Sequence, residues 1–222
     1  MQSCKVFRLA RTCMLAVLSG LPMAGPALSQ SVHPPVPEPS LDAIVVCYDF
    51  GCKNRSTVSL PQREWQQAAG WFLPAAKTPA EERYQIKNAV GWMEVLIGRH
   101  TPTHKDLAFS LPPIDDYRHL FPGQQDCIDE AINTTTYLRL FEQHGLMRHH
   151  EVMDTAYRKA IFDQHWAAQI REKETGIRYV VDSWFQPNGY LPVIQASEKW
   201  EDIGLLSAVI DSSERPDPDR RR

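Results

Sequence analysis

One long segment of the chain, residues 78–98, repeats apolar side chains at spacings of three and four. The repeating positions are Ile86, Val90, Met93 and Ile97. This is the period of an amphipathic helix, so the segment is predicted to be a helix whose apolar stripe lies in the core. Thr78 and Pro79 strengthen the prediction, because they are a favoured cap and a favoured first-turn residue.

Shorter apolar runs predict strands in two parts of the chain. Residues 43–48 and 56–60 are predicted to form a hairpin, and residues 161–171, 177–184 and 190–194 an antiparallel meander. Further helices are predicted at 61–72, 131–145 and 197–206. The expected class is therefore α+β, with helices packed on an antiparallel sheet.

The two ends of the chain are expected to lie outside the folded domain. Residues 1–29 have a basic start, a short broken apolar run and small residues before the cleavage point, as a secretory signal peptide has. The apolar run is too short for a membrane anchor, so no stable membrane span is expected after cleavage. A proline-rich linker is expected at 30–41, one domain at 42–211 and a disordered tail at 212–222.

Composition and net charge exclude some classes of binding partner. The chain has 222 residues and is 43% hydrophobic, which suits one domain with a core. Residues 1–29 contain three basic residues and no acidic one, so 21 of the 24 Lys and Arg residues remain against 27 Asp and Glu, a net charge of −6. Nucleic acid and anionic lipid are therefore not expected as partners.

Three cysteines remain after cleavage: Cys47, Cys52 and Cys127. The four residues between Cys47 and Cys52 are typical of a turn, so these two are expected to form a disulfide in an oxidising compartment. Cys127 is then an unpaired thiol in an exported protein, which indicates either reactivity or an inert, buried side chain. It stands where a loop becomes a helix, and the positive end of a helix is expected to stabilise its thiolate.

A histidine and an aspartate on neighbouring predicted strands supply the other parts of a nucleophilic site. If Lys173 pairs with Gly176 across the turn, Ala167 faces Asp182. His165 then lies on the same face of the sheet as Asp182 and diagonal to it. The carboxylate could accept a hydrogen bond from the imidazole, whereas a slip of one residue would separate the two side chains.

Together these residues predict a Cys-His-Asp site. His165 would accept the proton of Cys127, Asp182 would orient His165, and the sulfur would attack an acyl carbon to form a thioester. The backbone N–H of Cys127 would bind the oxyanion, with Gln124 and Gln125 as candidate side-chain donors. The expected function is hydrolysis of a peptide or amide bond.

Three stretches carry a family resemblance: Gln125–Glu130, His165–Ala168 and Tyr179–Trp184. They resemble the bacterial transglutaminase-like cysteine proteinases, including an exported branch of that family, and the likeness extends over roughly residues 80–200. The resemblance implies a papain-like fold in which a cysteine-bearing helix packs on an antiparallel sheet. It also implies Cys127 as nucleophile, His165 as base and Asp182 as the residue that orients the base.

The resemblance also bears on cofactors and partners. Family members that clip cell-surface adhesins in the periplasm hold calcium with the Asp before the cysteine and an acid directly after it. Ile128 stands at the second position here, so Asp126 and Asp129 are the remaining calcium candidates and no cofactor is expected. The resemblance implies a periplasmic or secreted protein that acts on a protein or peptide substrate in the cell envelope.

Two alternatives stay open for a chain of this kind. One is transglutaminase-type acyl transfer, in which an amine instead of water takes the acyl group from the thioester. The other is a non-catalytic envelope binding domain that keeps the same fold.

Overall fold

The computed structural model describes residues 38–112, 122–159, 164–202 and 216. Its strands are β1 Ile44–Tyr48, β2 Asn54–Val58, β3 His150–Lys159, β4 Gln164–Glu172, β5 Arg178–Asp182 and β6 Val193–Ala196. Its helices are α1 Gln62–Ala69, α2 Pro79–Gly98, α3 Cys127–Gln143 and α4 Ser197–Asp202, with short 3₁₀ turns at Gly70–Phe72 and Pro102–Lys105. The predicted signal peptide, most of the linker and nearly all of the tail lie outside the described residues.

The first sheet is the predicted hairpin. β1 and β2 pair antiparallel, and Cys47 and Cys52 form the predicted disulfide across the connecting turn. Strand β2 begins at Asn54, two residues earlier than the alternation of apolar residues indicates.

Helix α2 is the centre of the core, as the apolar stripe predicts. The side chains of Ile86, Val90, Met93 and Ile97 have no solvent exposure. Thr78 caps the helix by accepting a hydrogen bond from the backbone N–H of Glu81.

The second sheet has four antiparallel strands in the order β3-β4-β5-β6. The pairs Ala168–Val181 and Arg171–Arg178 show that β4 and β5 have the predicted register. Strand β3 was not predicted, because its residues are mostly polar and a bulge between Met153 and Ala156 interrupts the alternation. The meander therefore has one strand more than the sequence pattern indicates.

The two faces of this sheet are covered differently. On one face, Ala168, Ile170 and Val181 join the main core with α1, α2 and α3. On the other face, Ala167 and Val180 pack against Trp200 of α4. The structure is thus mixed α and β, with helices and two antiparallel sheets among the described residues. None of its described helices has the length and apolar character needed to cross a membrane.

Candidate functional site

Cys127 is the first residue of α3 and is half-buried, with a free thiol. Asp126 caps the helix by accepting hydrogen bonds from the backbone N–H groups of Ile128 and Asp129 at 3.0 Å. Asp129 returns the interaction by accepting from the Asp126 backbone N–H at 3.2 Å. This capping box holds the cysteine at the end of the helix.

The hairpin turn between β1 and β2 forms hydrogen bonds with the same end of α3. Asp129 accepts hydrogen bonds from the backbone N–H groups of Phe50 at 2.9 Å and Cys52 at 2.5 Å. One turn further along the helix, Asn133 exchanges two hydrogen bonds with the backbone of Cys47, both at 2.8 Å. The disulfide therefore closes the turn that holds the cysteine-bearing helix.

The hairpin turn between β1 and β2 has a backbone conformation that residues other than glycine rarely adopt. Four consecutive residues, Asp49 to Cys52, have φ between +57° and +68°, and three of them are not glycine. Such residues persist only where surrounding contacts hold them. Here the contacts are the disulfide and the carboxylate of Asp129.

The loop before Cys127 is fixed by close backbone contacts. Asp49 accepts a hydrogen bond from the Gly123 N–H at 2.7 Å and donates its own N–H to the Gln124 carbonyl at 2.8 Å. Gly123 has φ +87°, and a Cβ there would lie 2.1 Å from the carbonyl oxygen of Pro102. Glycine is therefore required at this position.

His165 and Asp182 form the predicted pair. The Nε2–H of His165 donates to Asp182 Oδ2 at 2.7 Å, and both side chains are almost fully buried. Because Nε2 carries this proton, Nδ1 of a neutral imidazole is an acceptor. Within the described part of the chain, Nδ1 has no hydrogen-bond partner although it is buried.

Aromatic rings surround the imidazole. The centroids of Trp184, Phe185 and Trp200 lie 4.9, 5.2 and 5.6 Å from that of His165. Trp200 also donates its indole N–H to Asp182 Oδ2 at 3.0 Å. The sequence patterns did not identify Trp200, because it lies beyond β6 on a short helix with no motif of its own.

Cys127 lies beside this cluster. Its side chain packs against Trp184 and Phe185, the same two rings that flank His165. Its sulfur is 4.0 Å from the Gln164 carbonyl oxygen, and the Trp166 backbone N–H is directed at it. Gln164 and Trp166 are the two chain neighbours of His165, so the structure brings the predicted nucleophile and base to one place. A hydrogen bond from the thiol to Nδ1 is not formed in this arrangement.

The electrostatic setting of the thiol differs from the prediction. Burial raises the pKa of the Cys127 thiol to about 12, and the negative charges of Asp126 and Asp182 act in the same direction. The expected lowering of the pKa by the helix N-terminus is therefore wrong, because loss of water around the sulfur outweighs it. The thiol is protonated at neutral pH, so a base must remove its proton during any reaction.

The two glutamines proposed for the oxyanion have separate surroundings. Gln124 donates from Nε2 to the Lys105 carbonyl at 2.6 Å, while its Oε1 accepts from the Leu107 N–H and the Ser110 hydroxyl. Its amide braces the preceding loop, which argues against a role at the oxyanion. Gln125, two residues before Cys127, is buried and remains the candidate side-chain donor.

Asp129, one of the two calcium candidates, has a carboxyl group that does not fit a cation. Both oxygens of Asp129 accept backbone hydrogen bonds, and burial together with the charge of Asp126 raises the pKa of Asp129 to about 8. A carboxyl group that holds its proton at neutral pH is a poor ligand for calcium. The sulfurs of Cys47 and Cys52 also lie near Asp129, but they are joined as a disulfide and offer no thiolate.

Three further carboxyl groups lie buried behind the site, and no sequence pattern marked them as a group. Burial raises the pKa of Glu94 to about 8 and that of Asp106 to about 7, and raises the pKa of Glu130 well above its usual range. Asp106 accepts the Gln125 backbone N–H at 2.6 Å, and Glu94 accepts that of Gly189 at 2.8 Å. Asp106 and Glu94 therefore bind the backbone of two separate loops, at Gln125 and at Gly189.

Comparison of the chain with models of protein families, with curated proteins and with solved structures gave no match. The functional interpretation therefore depends on the geometry of the residues themselves.

Proposed function

We propose that the protein is an exported cysteine hydrolase with a papain-like, transglutaminase-like architecture, and that it cleaves peptide or amide bonds. One observation carries the proposal. A half-buried free thiol shares two aromatic walls with a histidine whose Nε2 is held by Asp182 and whose Nδ1 is unpartnered among the described residues.

The chemistry follows from the protonation states. Because the thiol pKa is about 12, the sulfur attacks the carbonyl carbon while its proton passes to His165 Nδ1. The carbonyl electron pair moves onto oxygen, where the Cys127 backbone N–H stabilises it, with Gln125 as the candidate second donor. Collapse expels the amine, which takes the proton from His165, and leaves a thioester on Cys127.

Hydrolysis completes the cycle. His165 takes a proton from water as the water attacks the thioester, and returns a proton to the leaving sulfur. Asp182 keeps the imidazole proton on Nε2 and stabilises the imidazolium that forms in both steps. The substrate is a protein or peptide in the cell envelope, reached after removal of residues 1–29, and the site of action is the periplasm or the cell exterior.

The test is the reactivity of Cys127 in the mature protein. Alkylation by iodoacetamide at pH 7 is measured for the wild type, His165→Ala and His100→Ala. His100 is the matched control because it pairs with Glu64 away from the site. We expect His165→Ala to slow alkylation roughly 100-fold, the usual share of a positioned base, and His100→Ala to leave it unchanged.

Equal alkylation rates in the wild type and in His165→Ala would refute the proposal.

Acylation by p-nitrophenyl acetate separates the alternatives. Turnover in water indicates a hydrolase, whereas transfer of the acetyl group to added methylamine in preference to water indicates an acyl transferase. The absence of any acylation of Cys127 indicates a binding domain.

A further inference from the structure

Trp200 forms a hydrogen bond with the carboxylate of the His165–Asp182 pair. Its indole N–H donates to Asp182 Oδ2, which is the same oxygen that accepts from His165 Nε2. The two distances are 3.0 and 2.7 Å. Trp200 is fully buried, and its ring also packs against the imidazole.

Two donors on one oxygen constrain the rotation of the carboxyl group. Oδ1 of Asp182 is buried and has no partner among the described residues, so it does not contribute to this constraint. A carboxylate held only by His165 could turn and present either oxygen, and the imidazole would turn with it. The indole N–H is a donor only, so it can bind the carboxylate but cannot compete as an acceptor for the His165 proton.

Trp200 is itself held in place from the other side. Arg158 of β3 donates to the Trp200 carbonyl oxygen at 2.7 Å, and its guanidinium lies 4.7 Å from the centre of the indole ring. Helix α4 has only six residues, too few to be stable without tertiary contacts. Strand β3 thus contributes to the site indirectly, because its Arg158 holds Trp200.

We infer that Trp200 is a positioning residue of the site, braced by Arg158, and that its indole N–H sets the orientation of Asp182 and thereby the Nε2–H tautomer of His165. The inference rests on the proposed function only where it concerns reaction rate. The tautomer of His165 is a property of the resting protein and can be measured without a substrate.

Trp200→Phe in the full chain tests the inference, because it removes the N–H and keeps an aromatic ring. We expect the rate of acylation by p-nitrophenyl acetate to fall about tenfold, the loss typical of one hydrogen bond to a charged group. In ¹⁵N-histidine spectra, the His165 resonances, assigned by their absence in His165→Gln, should change from a single Nε2–H form to a mixture of tautomers. Arg158→Met should produce the same two changes to a smaller degree.

The control separates positioning from simple loss of packing. Ser197, the first residue of α4, accepts a hydrogen bond from Gln169 at 3.0 Å, whereas the described hydrogen-bond partners of the Asp182 carboxylate are His165 and Trp200. Ser197→Ala should lower the melting temperature by an amount comparable with Trp200→Phe, yet leave both the acylation rate and the tautomer unchanged.

Retention of the wild-type tautomer and acylation rate in Trp200→Phe would overturn the inference, as would equal losses in Ser197→Ala. If the wild type itself shows no acylation, the proposed function fails, and the tautomer measurement alone decides the role of Trp200.

Discussion

Cys127 and His165, the proposed nucleophile and base of this site, are held by two different kinds of contact. Around Cys127 the contacts run from the carboxylates of Asp126 and Asp129 and the amide of Asn133 to backbone N–H and C=O groups. Around His165 they run between side chains: a carboxylate, three aromatic rings and, behind them, a guanidinium. One side is built from turns and helix ends, the other from packed side chains.

The difference has an energetic consequence. Buried backbone N–H groups that lose their acceptor remain buried and unsatisfied, so a single change on the Cys127 side should lower the stability of the whole domain. On the His165 side, an aromatic ring can be replaced by a similar ring with little loss of burial, so changes there should affect orientation more than stability. The following experiments measure whether the two sides differ in this way.

The largest effect is expected for Asp129→Ala. This change leaves the N–H groups of Phe50, Cys52 and Asp126 without their acceptor. Three buried unsatisfied groups at about 1–3 kcal/mol each give an expected loss of about 3–9 kcal/mol in the free energy of unfolding. Urea denaturation followed by circular dichroism measures it.

Asp154→Ala is the matched control for that experiment, because Asp154 is an exposed aspartate on β3. It should change the unfolding free energy by less than about 0.5 kcal/mol. A loss below about 1 kcal/mol for Asp129→Ala would mean that the hairpin turn does not depend on this carboxylate.

A smaller effect is expected from removal of the disulfide. Cys47 and Cys52 are five residues apart, so closing the loop restricts the unfolded chain only modestly. The chain-entropy relation gives about 2 kcal/mol for the variant Cys47→Ser/Cys52→Ser. Because the turn also holds α3, alkylation of Cys127 in this variant should be faster and less dependent on His165. Unchanged alkylation would show that the turn holds its shape without the disulfide.

The last prediction concerns pH and applies to the buried carboxyl groups, where the expected change is about 1 kcal/mol for each pH unit and each group. The pKa values of Asp129 and Glu94 are about 8 and that of Asp106 about 7, against about 4 in an unfolded chain. Between these limits the folded state binds more protons than the unfolded state, so the free energy of unfolding should fall as pH rises from about 5 to about 8.

Glu94→Gln tests this directly, because an amide imitates the protonated acid and does not titrate. The slope of unfolding free energy against pH should become shallower by about 1 kcal/mol per pH unit in this variant. The pKa values of Glu82 and Glu172 are lowered by their hydrogen bonds despite burial, so their contribution is lost only below about pH 4 and does not interfere. A slope identical to that of the wild type would contradict the assigned pKa of Glu94.

Much of the fold follows from residues that are close in the chain. The stripe of α2 and the Thr78 cap predicted that helix, and the spacing of Cys47 and Cys52 predicted the disulfide. The turn after β4 set the register that places His165 beside Asp182. These predictions succeeded because each depends on short-range geometry, where few arrangements are sterically possible.

Other features depended on residues that the chain brings together only by folding. Strand β3 carries no clear alternation. Asp129 was named only as a candidate calcium ligand, and no sequence pattern indicated that it holds the hairpin turn. Gln124 likewise braces a loop, since its amide meets Lys105 and Ser110. Asp129 and Gln124 were both identified from the sequence as candidate site residues, but the groups that they bind are distant in sequence.

The sequence by itself therefore determined the helices, the disulfide, the strand register and the identity of Cys127, His165 and Asp182 as candidates for one site. Only the tertiary structure decided that Trp200 and Arg158 stand behind that site, and that the pKa of the Cys127 thiol is raised. The physical reason is the same for both. Local pattern specifies backbone geometry, whereas desolvation and side-chain contacts depend on which distant segments pack around a group.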